Sequence, residues 1–233
     1  MLIPVTAVDL PDFTAACAHE HVFGSRMITA LRAYGLGNPD VRFFLCRKGR
    51  EPAAALHLAG GVLTIAADER ADPAPIADLI RANEVHEVDT NWPQCTALQA
   101  MLGGVTESSY YMVYRGGLVE GTFDNMRPGD PRTVFEVLQR SHEYYRTHFV
   151  FAQWFADWEQ RLFRGLSEIY QLEHNGEVVG TGSILSSDDA CAVIGAVAVV
   201  PEHRHQGLGS YISRFLVQRI QTMGKTPRLI SGY

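Results

Sequence analysis

The stretch AVAVVPEHRHQGLGSYISRFL, residues 196–216, joins an apolar run to an amphipathic helix through a basic loop that contains two glycines. From Leu208 onward, apolar residues recur at helical spacing, and Gly224 suits a C-terminal cap. The start of a helix leaves several backbone N–H groups without partners and carries about half a positive charge. Gly207 and Gly209 would let a ligand approach the backbone closely. The junction therefore predicts an anion site that favours phosphate.

Two familiar nucleotide-binding motifs are absent from this junction. The sequence contains no GxxxxGK[ST] loop, and GxGxxG fails because Ile212 stands where the third glycine belongs. An isolated pair of glycines would favour a simple tight turn. The surrounding pattern must therefore decide between a turn and a ligand site.

The segments before the junction predict a hairpin that leads into a central strand. Residues 191–200, CAVIGAVAVV, are apolar throughout, which predicts a strand covered on both faces. Asn175-Gly176 lies between two strand-like runs and predicts a β-hairpin turn. Upstream, helices are predicted at about residues 131–147 and 151–165. The second is rich in aromatic residues at helical spacing, which is more typical of a core than of a ligand cage.

Together, the apolar strand and VVPEHRHQGLGSYISRFLV resemble the acetyl-CoA signature of the GNAT superfamily of N-acetyltransferases. In that signature an apolar strand is followed by Pro-Glu, an aromatic residue or His, and then Arg/Gln-x-x-Gly-x-Gly/Ala at a helix start. Arg204, Gly207 and Gly209 fill the last part here. The resemblance covers about residues 131–233. It implies an α/β fold with a central, mostly antiparallel mixed sheet flanked by helices.

The resemblance also implies which residues bind acetyl-CoA, the co-substrate. Backbone amides of residues 205–210 would hold the pyrophosphate, and the edge of the strand at residues 197–199 would pair with the pantetheine arm. The thioester would then lie where this strand separates from the next, RLISGY. The residues implied in binding are Val197, Ala198, Val199, Arg204, His205, Gln206, Gly207, Leu208, Gly209 and Ser210. His205 would add positive charge only when protonated.

The order of elements in residues 41–90 resembles the order in residues 167–233, which indicates a structural duplication. In the first copy, AADERADPAPIADLI stands where the glycine loop belongs. We therefore expect two GNAT-like halves in tandem: a degenerate domain at residues 1–126 and an acetyltransferase domain at residues 127–233. Residues 68–82 should make no contact with coenzyme A.

Composition limits the compartment and the partners. The chain has 233 residues, a net charge of −6 and no basic stripe, so a nucleic-acid partner is not expected. The N-terminus lacks the features of a signal peptide, and no apolar run approaches the ~20 residues of a membrane span. Four separated cysteines without a CxxC pair favour buried free thiols. These features predict a cytoplasmic protein, and the resemblance implies that it acts on a small-molecule or peptide amine.

The proton carriers are not identified by the sequence, and the catalytic residues stay unknown. An alkyl ammonium, with a pKa near ~10.4, must lose a proton before it attacks a thioester. Many relatives place a glutamate on or beside the glycine-loop strand, but residues 191–200 contain no acid. The acidic or basic residues nearby are better interpreted as solvated turn or strand-end residues: Glu173, His174, Asp188, Asp189 and Glu202.

The family pattern continues beyond RLISGY with a helix and two strands, and that helix often carries a tyrosine that protonates the leaving thiolate. This sequence ends at Tyr233. Three explanations are open: the aromatic strand at residues 108–115 completes the sheet, a partner chain does so, as in a homodimer, or the polypeptide is cut short. In the first case Tyr110 or Tyr111 would be near the site.

Two other functions compete with acetyl transfer. The first is a coenzyme A-binding sensor or pseudoenzyme, which the missing acid favours. The second is a metal site built from HEH (19–21) or HRH (203–205). Neither has the i, i+4 histidine spacing of a helical zinc site, and no cysteine pair supports one, so no metal is expected.

Overall fold

A computed structural model describes residues 1–232, with side chains described through Ser231. The chain folds into two compact units, Met1–Ser109 and Tyr110–Gly232. The sequence prediction placed the division between residues 126 and 127. Residues 110–126 thus belong to the second unit.

The first unit contains a five-stranded sheet with the order β1-β2-β3-β4-β5. Neighbouring strands are antiparallel except β4 and β5, which are parallel. The strands are β1 (Leu2–Pro4), β2 (Val41–Lys48), β3 (Glu51–Ala59), β4 (Val62–Ala67) and β5 (Glu87–Asp89). The helices are α1 (Leu10–Cys17), α2 (His21–Tyr34), α3 (Pro73–Arg81) and α4 (Trp92–Leu102).

Apolar residues cover both faces of this first sheet. One cluster contains Phe13, Met27 and Leu45, and the other contains Leu56 and Ile76. The short strand β1 could not be predicted from the sequence, because three residues are too few to show a period of two.

The second unit contains a six-stranded sheet with the order β6-β11-β10-β9-β8-β7. The strands are β6 (Ser109–Val113), β7 (Met126–Pro128), β8 (Glu168–His174), β9 (Glu177–Ser187), β10 (Cys191–Val199) and β11 (Thr226–Gly232). β10 is central, as predicted: it pairs antiparallel with β9 and parallel with β11. The predicted hairpin turn is also present, with Asn175 and Gly176 at φ values of 52° and 82°.

The helices of the second unit are α5 (Pro131–Ser141), α6 (Glu143–His148), α7 (Phe151–Phe163) and α8 (Leu208–Thr222). The first of the two predicted helices is therefore divided. His142 is extended, with φ of −144°, and its Nδ1 accepts a hydrogen bond from the Tyr144 N–H, so a new helix begins there. The aromatic residues of α7 are core residues at Trp154 and Trp158, but Phe163 is 87% exposed.

The two sheets repeat one plan. In each, three antiparallel pairings are followed by one parallel pairing that a helix connects: β4, α3 and β5 in the first unit, β10, α8 and β11 in the second. This repetition confirms the two GNAT-like halves predicted from the sequence, each a mixed α/β layer structure.

The segment between the halves adds a strand to the second sheet. β6 lies beside β11, as the first of the three explanations for the short C-terminus predicts. The Tyr114 N–H donates to the Pro227 carbonyl over 3.0 Å. Farther along, Gln221 accepts from the Val119 N–H over 2.9 Å. These bonds are the physical reason that the second unit begins before residue 126. Tyr233, the last residue of the predicted strand RLISGY, lies outside the described residues.

Candidate functional site

A gap opens between β10 and β11 in the second sheet. The parallel ladder of β10 and β11 runs from Cys191 opposite Thr226 to Ile194 opposite Leu229, and within residues 1–232 it continues no farther. Residues 191–194 are buried, whereas residues 195–199 are only half-buried. The predicted coverage on both faces therefore holds only for the first half of β10. The second half presents an open edge.

A β-bulge lies at the point where this edge begins. Gly195 stands opposite Ser183 and Ala198 stands opposite Thr181, so Ala196 and Val197 share one position of β9. Ala196 has a φ of 50°, in the left-handed region. A bulge leaves an extra residue unpaired and bends its strand. The bulge thus turns the backbone of residues 196–199 into the gap.

The loop after β10 has the shape of an anion cradle. A short 3-10 helix, Pro201–His203, follows the strand, and α8 begins after Gly207. His205 and Gly207 both have a left-handed backbone, with φ of 61° and 78°. Such alternation of backbone conformation turns successive N–H groups toward one concavity. Gly207 needs this freedom, whereas His205 adopts the conformation despite its Cβ.

The amides of this loop have no acceptors. The backbone N–H groups of residues 205–210 donate to no other described residue. A Cβ built at Gly209 would meet nothing within 4 Å. Unpaired donors at a helix start, facing open space, suit a phosphate oxygen. The residues present therefore fit the pyrophosphate of coenzyme A.

The side chain of Arg204 has a bracing role within the unit. Its Nε donates to the Val199 carbonyl over 3.1 Å, and one terminal nitrogen donates to the Ser141 carbonyl over 2.6 Å. Arg204 thereby ties the end of β10 to the end of α5. The neighbouring His205 and Gln206 are exposed. The loop residues predicted from the sequence thus lie together at one end of the open strand.

Two glycines on β9 place α8, and with it the loop, against the sheet. A Cβ at Gly182 would lie 2.5 Å from Ile212 Cγ2, and one at Gly180 would lie 2.9 Å from Ile212 Cδ1. The helix can approach this closely only because those side chains are absent. The apolar face predicted for α8 is the face that packs: Leu208, Tyr211, Ile212, Phe215, Leu216, Ile220 and Met223 all belong to one cluster.

An ion cluster fastens the other end of α8. Arg219 donates to both carboxylate oxygens of Glu168, over 2.9 and 2.7 Å, and Tyr170 donates to the same carboxylate. Burial would raise the pKa of Glu168, but the hydrogen bonds from Arg219 and Tyr170 outweigh it and lower that pKa. Burial, followed by the hydrogen bond to Glu168, raises the pKa of Tyr170 to about 12.

The corresponding helix start in the first unit is already satisfied. The Asp72 side chain accepts from the Ala74 N–H over 3.0 Å, and Pro73 has no N–H to offer. The ladder of β3 and β4 runs without a bulge from Ala54–Ala67 to Ala59–Val62. The first unit therefore has neither the free amides nor the bulge that the second unit has.

The charged residues considered as proton carriers lie at turns and strand ends. Asp188 accepts from the amides of Ala190 and Cys191 at a hairpin, over 2.7 Å each. Glu202 pairs with Arg140 at 3.5 Å. Glu173 accepts from the side-chain amide of Gln171. None of them projects from β10, which stays without an acid, and the general base stays unassigned.

In the part of the chain that the structure describes, the side chains form no metal-binding cluster and the helices include no membrane span. His174 and His203 lie 5.8 Å apart between ring centroids, but no group of three or more His, Cys, Asp or Glu side chains there could hold a metal ion. No disulfide joins the four cysteines, and Cys95 is the one among them that is not fully buried. No helix within residues 1–232 combines the length and the hydropathy that a bilayer crossing needs.

Sequence reasoning missed Arg228 on β11. Its Nε is buried without a hydrogen-bond partner, and its register places it opposite Val193, just before the gap. A single arginine in a short C-terminal strand carries no motif. Only the strand register shows that it borders the site.

A family model described as the acetyltransferase (GNAT) family matches residues 132–231. Among solved structures, the chain is similar to a tandem GNAT protein from the clavulanic acid biosynthesis pathway, crystallised without AcCoA. That likeness has a TM-score of 0.56 and 14% identity, and covers 100% of this chain and 90% of that one. No curated protein matches the chain in sequence.

Two further solved structures share the fold. A GCN5-related N-acetyltransferase from Sphaerobacter thermophilus has a TM-score of 0.60 at 14% identity, over 100% of this chain and 86% of that one. A GCN5-related N-acetyltransferase from Kribbella flavida has a TM-score of 0.57 at 13% identity, over 92% and 85% of the two chains. At such identities the likeness establishes the fold alone.

Proposed function

We propose that this chain, whose residues 132–231 match the acetyltransferase (GNAT) family model, is an N-acetyltransferase with one active half. A match to this family implies acyl-CoA-dependent acetyl transfer in general. The proposal is that acetyl-CoA donates the group and that the amine of a small molecule or peptide accepts it. The second unit performs the reaction, and the first does not bind the donor.

The observation that carries this proposal is the pairing of unsatisfied amides with an open strand. The N–H groups of residues 205–210 have no acceptors, and they follow directly on the unpaired edge of β10 at residues 195–199. A pyrophosphate on the amides would lead its pantetheine arm along that edge, which can accept and donate hydrogen bonds as a neighbouring strand does. The thioester would then lie beside the bulge at Ala196.

The reaction needs few groups from the protein. The amine nitrogen attacks the thioester carbonyl carbon, a C–N bond forms, and the C–S bond breaks. The amine loses a proton and the departing thiolate gains one, so that coenzyme A leaves as the thiol. Negative charge on the carbonyl oxygen would be stabilised by a backbone N–H of the bulge, at residues 196–198. The bulge supplies that donor because it removes the backbone from the ladder.

The ammonium form of the acceptor must be deprotonated before attack. β10 and β11 carry no carboxylate or histidine. We assign the removal of this proton to a chain of water molecules in the gap or to a neighbouring group of the acceptor itself. No residue of this chain is assigned as the base. The rate should therefore rise with pH until the acceptor amine itself is neutral.

The setting of the reaction follows from composition. Four cysteines without a disulfide are compatible with a reducing compartment, and we place the protein in the cytoplasm. The net charge of −6 does not favour a nucleic-acid partner or an anionic membrane surface. A homodimer is not needed to complete the second sheet, because β6 lies beside β11.

The test is turnover with the whole chain. Acetyl-CoA is incubated with the protein and a panel of amines. A colorimetric assay measures the released thiol, and mass spectrometry detects any product that is heavier by one acetyl group. Release that requires both an amine and the protein, with an acetylated amine as product, supports the proposal. Tight coenzyme A binding without thiol release for any amine would instead establish a sensor or pseudoenzyme. Absence of binding would overturn both.

A further inference from the structure

Arg228 lies on the face of the sheet opposite α8. Ile194 and Leu229, which stand opposite each other, belong to the apolar cluster beneath α8. Side chains alternate along a strand, so Val193 and Arg228 face the other way, toward α5 and α7. Arg228 is the last residue of β11 on that face before the ladder with β10 ends.

The guanidinium of Arg228 has no counter-charge among the residues that the structure describes. Its Nε is buried without a partner, and its side chain forms no hydrogen bond or ion pair with any described residue. No carboxylate occurs on β10 or β11. A charged group that is partly withdrawn from water without a partner is costly, and the cost disappears when an anion binds.

Two buried hydroxyls without partners lie on the same face. Ser186 stands opposite Val193, and Ser183 stands opposite Gly195, so both point toward α5 and α7 as Arg228 does. They are 1% and 0% exposed, and neither Oγ has a hydrogen-bond partner among the described residues. Unsatisfied polar groups thus stand on the strands on either side of β10, beside the bulge.

This face is also the one from which an acceptor can approach the thioester. On the α8 face, Val197, Val199 and Leu229 pack against the apolar cluster beneath that helix. On the α5–α7 face, the second half of β10 presents Gly195, Ala196 and Ala198. Leu185 covers Gly195, because a Cβ built there would lie 2.2 Å from Leu185 Cδ1. Ala196 and Ala198 carry only methyl groups, so the reacting amine would approach over them.

We propose that Arg228 binds a carboxylate of the acceptor, so that the substrate class is an amine that also carries a carboxylate, such as an amino acid. The inference rests on the proposed acetyl transfer and specifies its acceptor. A guanidinium can hold a carboxylate through two parallel hydrogen bonds, which fixes orientation as well as charge. Arg228 is then a specificity-determining residue, because it holds the acceptor and does not act on the reacting atoms.

The experiment compares matched acceptors on matched variants. Each amino acid is paired with its carboxamide and with the amine that lacks the carboxylate. Wild type, Arg228→Met and Arg228→Lys are assayed, with Arg214→Met as a control that removes one exposed charge from the same unit. Arg228→Met should raise KM for acceptors with a carboxylate about 10- to 100-fold, because charged hydrogen bonds to the carboxylate are lost. It should leave KM for acetyl-CoA unchanged. Arg228→Lys should recover part of the loss.

A second readout does not depend on turnover. Amino acids should raise the unfolding temperature of wild type and of Arg214→Met in the presence of coenzyme A, but not that of Arg228→Met. The inference would be overturned, while acetyl transfer stands, if Arg228→Met lost the same activity toward amines with and without a carboxylate. A wild-type preference for amines without a carboxylate would also overturn it. If no amine is turned over, but carboxylates raise the unfolding temperature of wild type and not of Arg228→Met, the proposed enzymatic function is wrong and the carboxylate site stands.

Discussion

Replacing Gly209 by glutamate would separate the stability of α8 from the binding of its ligand. Gly209 is the second residue of α8, and a Cβ there meets no atom within 4 Å, so a side chain can be added without a clash. Its φ is not in the left-handed region, unlike that of Gly207. A carboxylate at this place would occupy the amides that we assign to pyrophosphate.

The two expected effects have opposite signs. A carboxylate in the first turn of a helix stabilises it by about 0.3–1 kcal/mol, and replacement of a helical glycine adds up to about 1 kcal/mol. A pyrophosphate charge about 5 Å from the new carboxylate would be repelled by about 3 kcal/mol at an effective dielectric constant of about 20. That repulsion corresponds to a loss of roughly two orders of magnitude in affinity. Gly209→Glu should therefore unfold at a higher temperature and bind coenzyme A at least about 100-fold more weakly.

Titration calorimetry with coenzyme A and thermal unfolding without ligand measure the two effects. Gly209→Ala controls for bulk and should retain most of the affinity. Ala74→Glu is the matched control in the first unit, because Ala74 is the second residue of α3 and is exposed. It should leave coenzyme A binding unchanged. A folded Gly209→Glu protein whose affinity stays within about threefold of wild type would show that the pyrophosphate binds elsewhere.

Three predictions concern the scaffold. Glu168→Gln should reduce stability at neutral pH. The lowered pKa of Glu168 means that the stability it contributes through Arg219 is present above its ordinary value of 4.5 and is lost as pH falls through the folded pKa, so the variant's thermal unfolding should change less with acid than that of wild type. Gly24→Ala should lower the free energy of unfolding in urea by about 1–3 kcal/mol or more, because the new Cβ would lie 1.9 Å from the Cys17 carbonyl oxygen; an unchanged midpoint would contradict the packing. Gly176→Ala should lower it by about 1 kcal/mol through its φ of 82°, and a neutral effect would exclude the left-handed turn.

Features with a local cause were predicted well from the sequence. The Asn175-Gly176 turn and the apolar face of α8 follow from turn chemistry and periodicity within a short window. The division of the helix at His142 was missed because no proline or glycine marks it, and the break depends on a side-chain cap. Phe163 continues the helical spacing of the aromatic residues in α7, yet it is the last residue of that helix and is 87% exposed.

The site divides in the same way. The loop at residues 205–210 could be predicted as a ligand site because its glycines and the start of α8 are adjacent in the sequence. The bulge at Ala196 was not, since alanine rarely adopts a left-handed backbone and nothing in AVAVV indicates one. Arg228 became visible only through its register with Val193, which joins residues far apart in the chain.

The origin of β6 has a consequence for any attempt to isolate the acetyltransferase half. A fragment that starts at residue 127 would contain the whole family signature, yet it would lack the strand that lies beside β11. β11 would then present a row of free backbone donors and acceptors, which is the surface through which β proteins aggregate. The linker between the halves is therefore a structural part of the second domain. A fragment that retains the fold must begin ahead of Ser109.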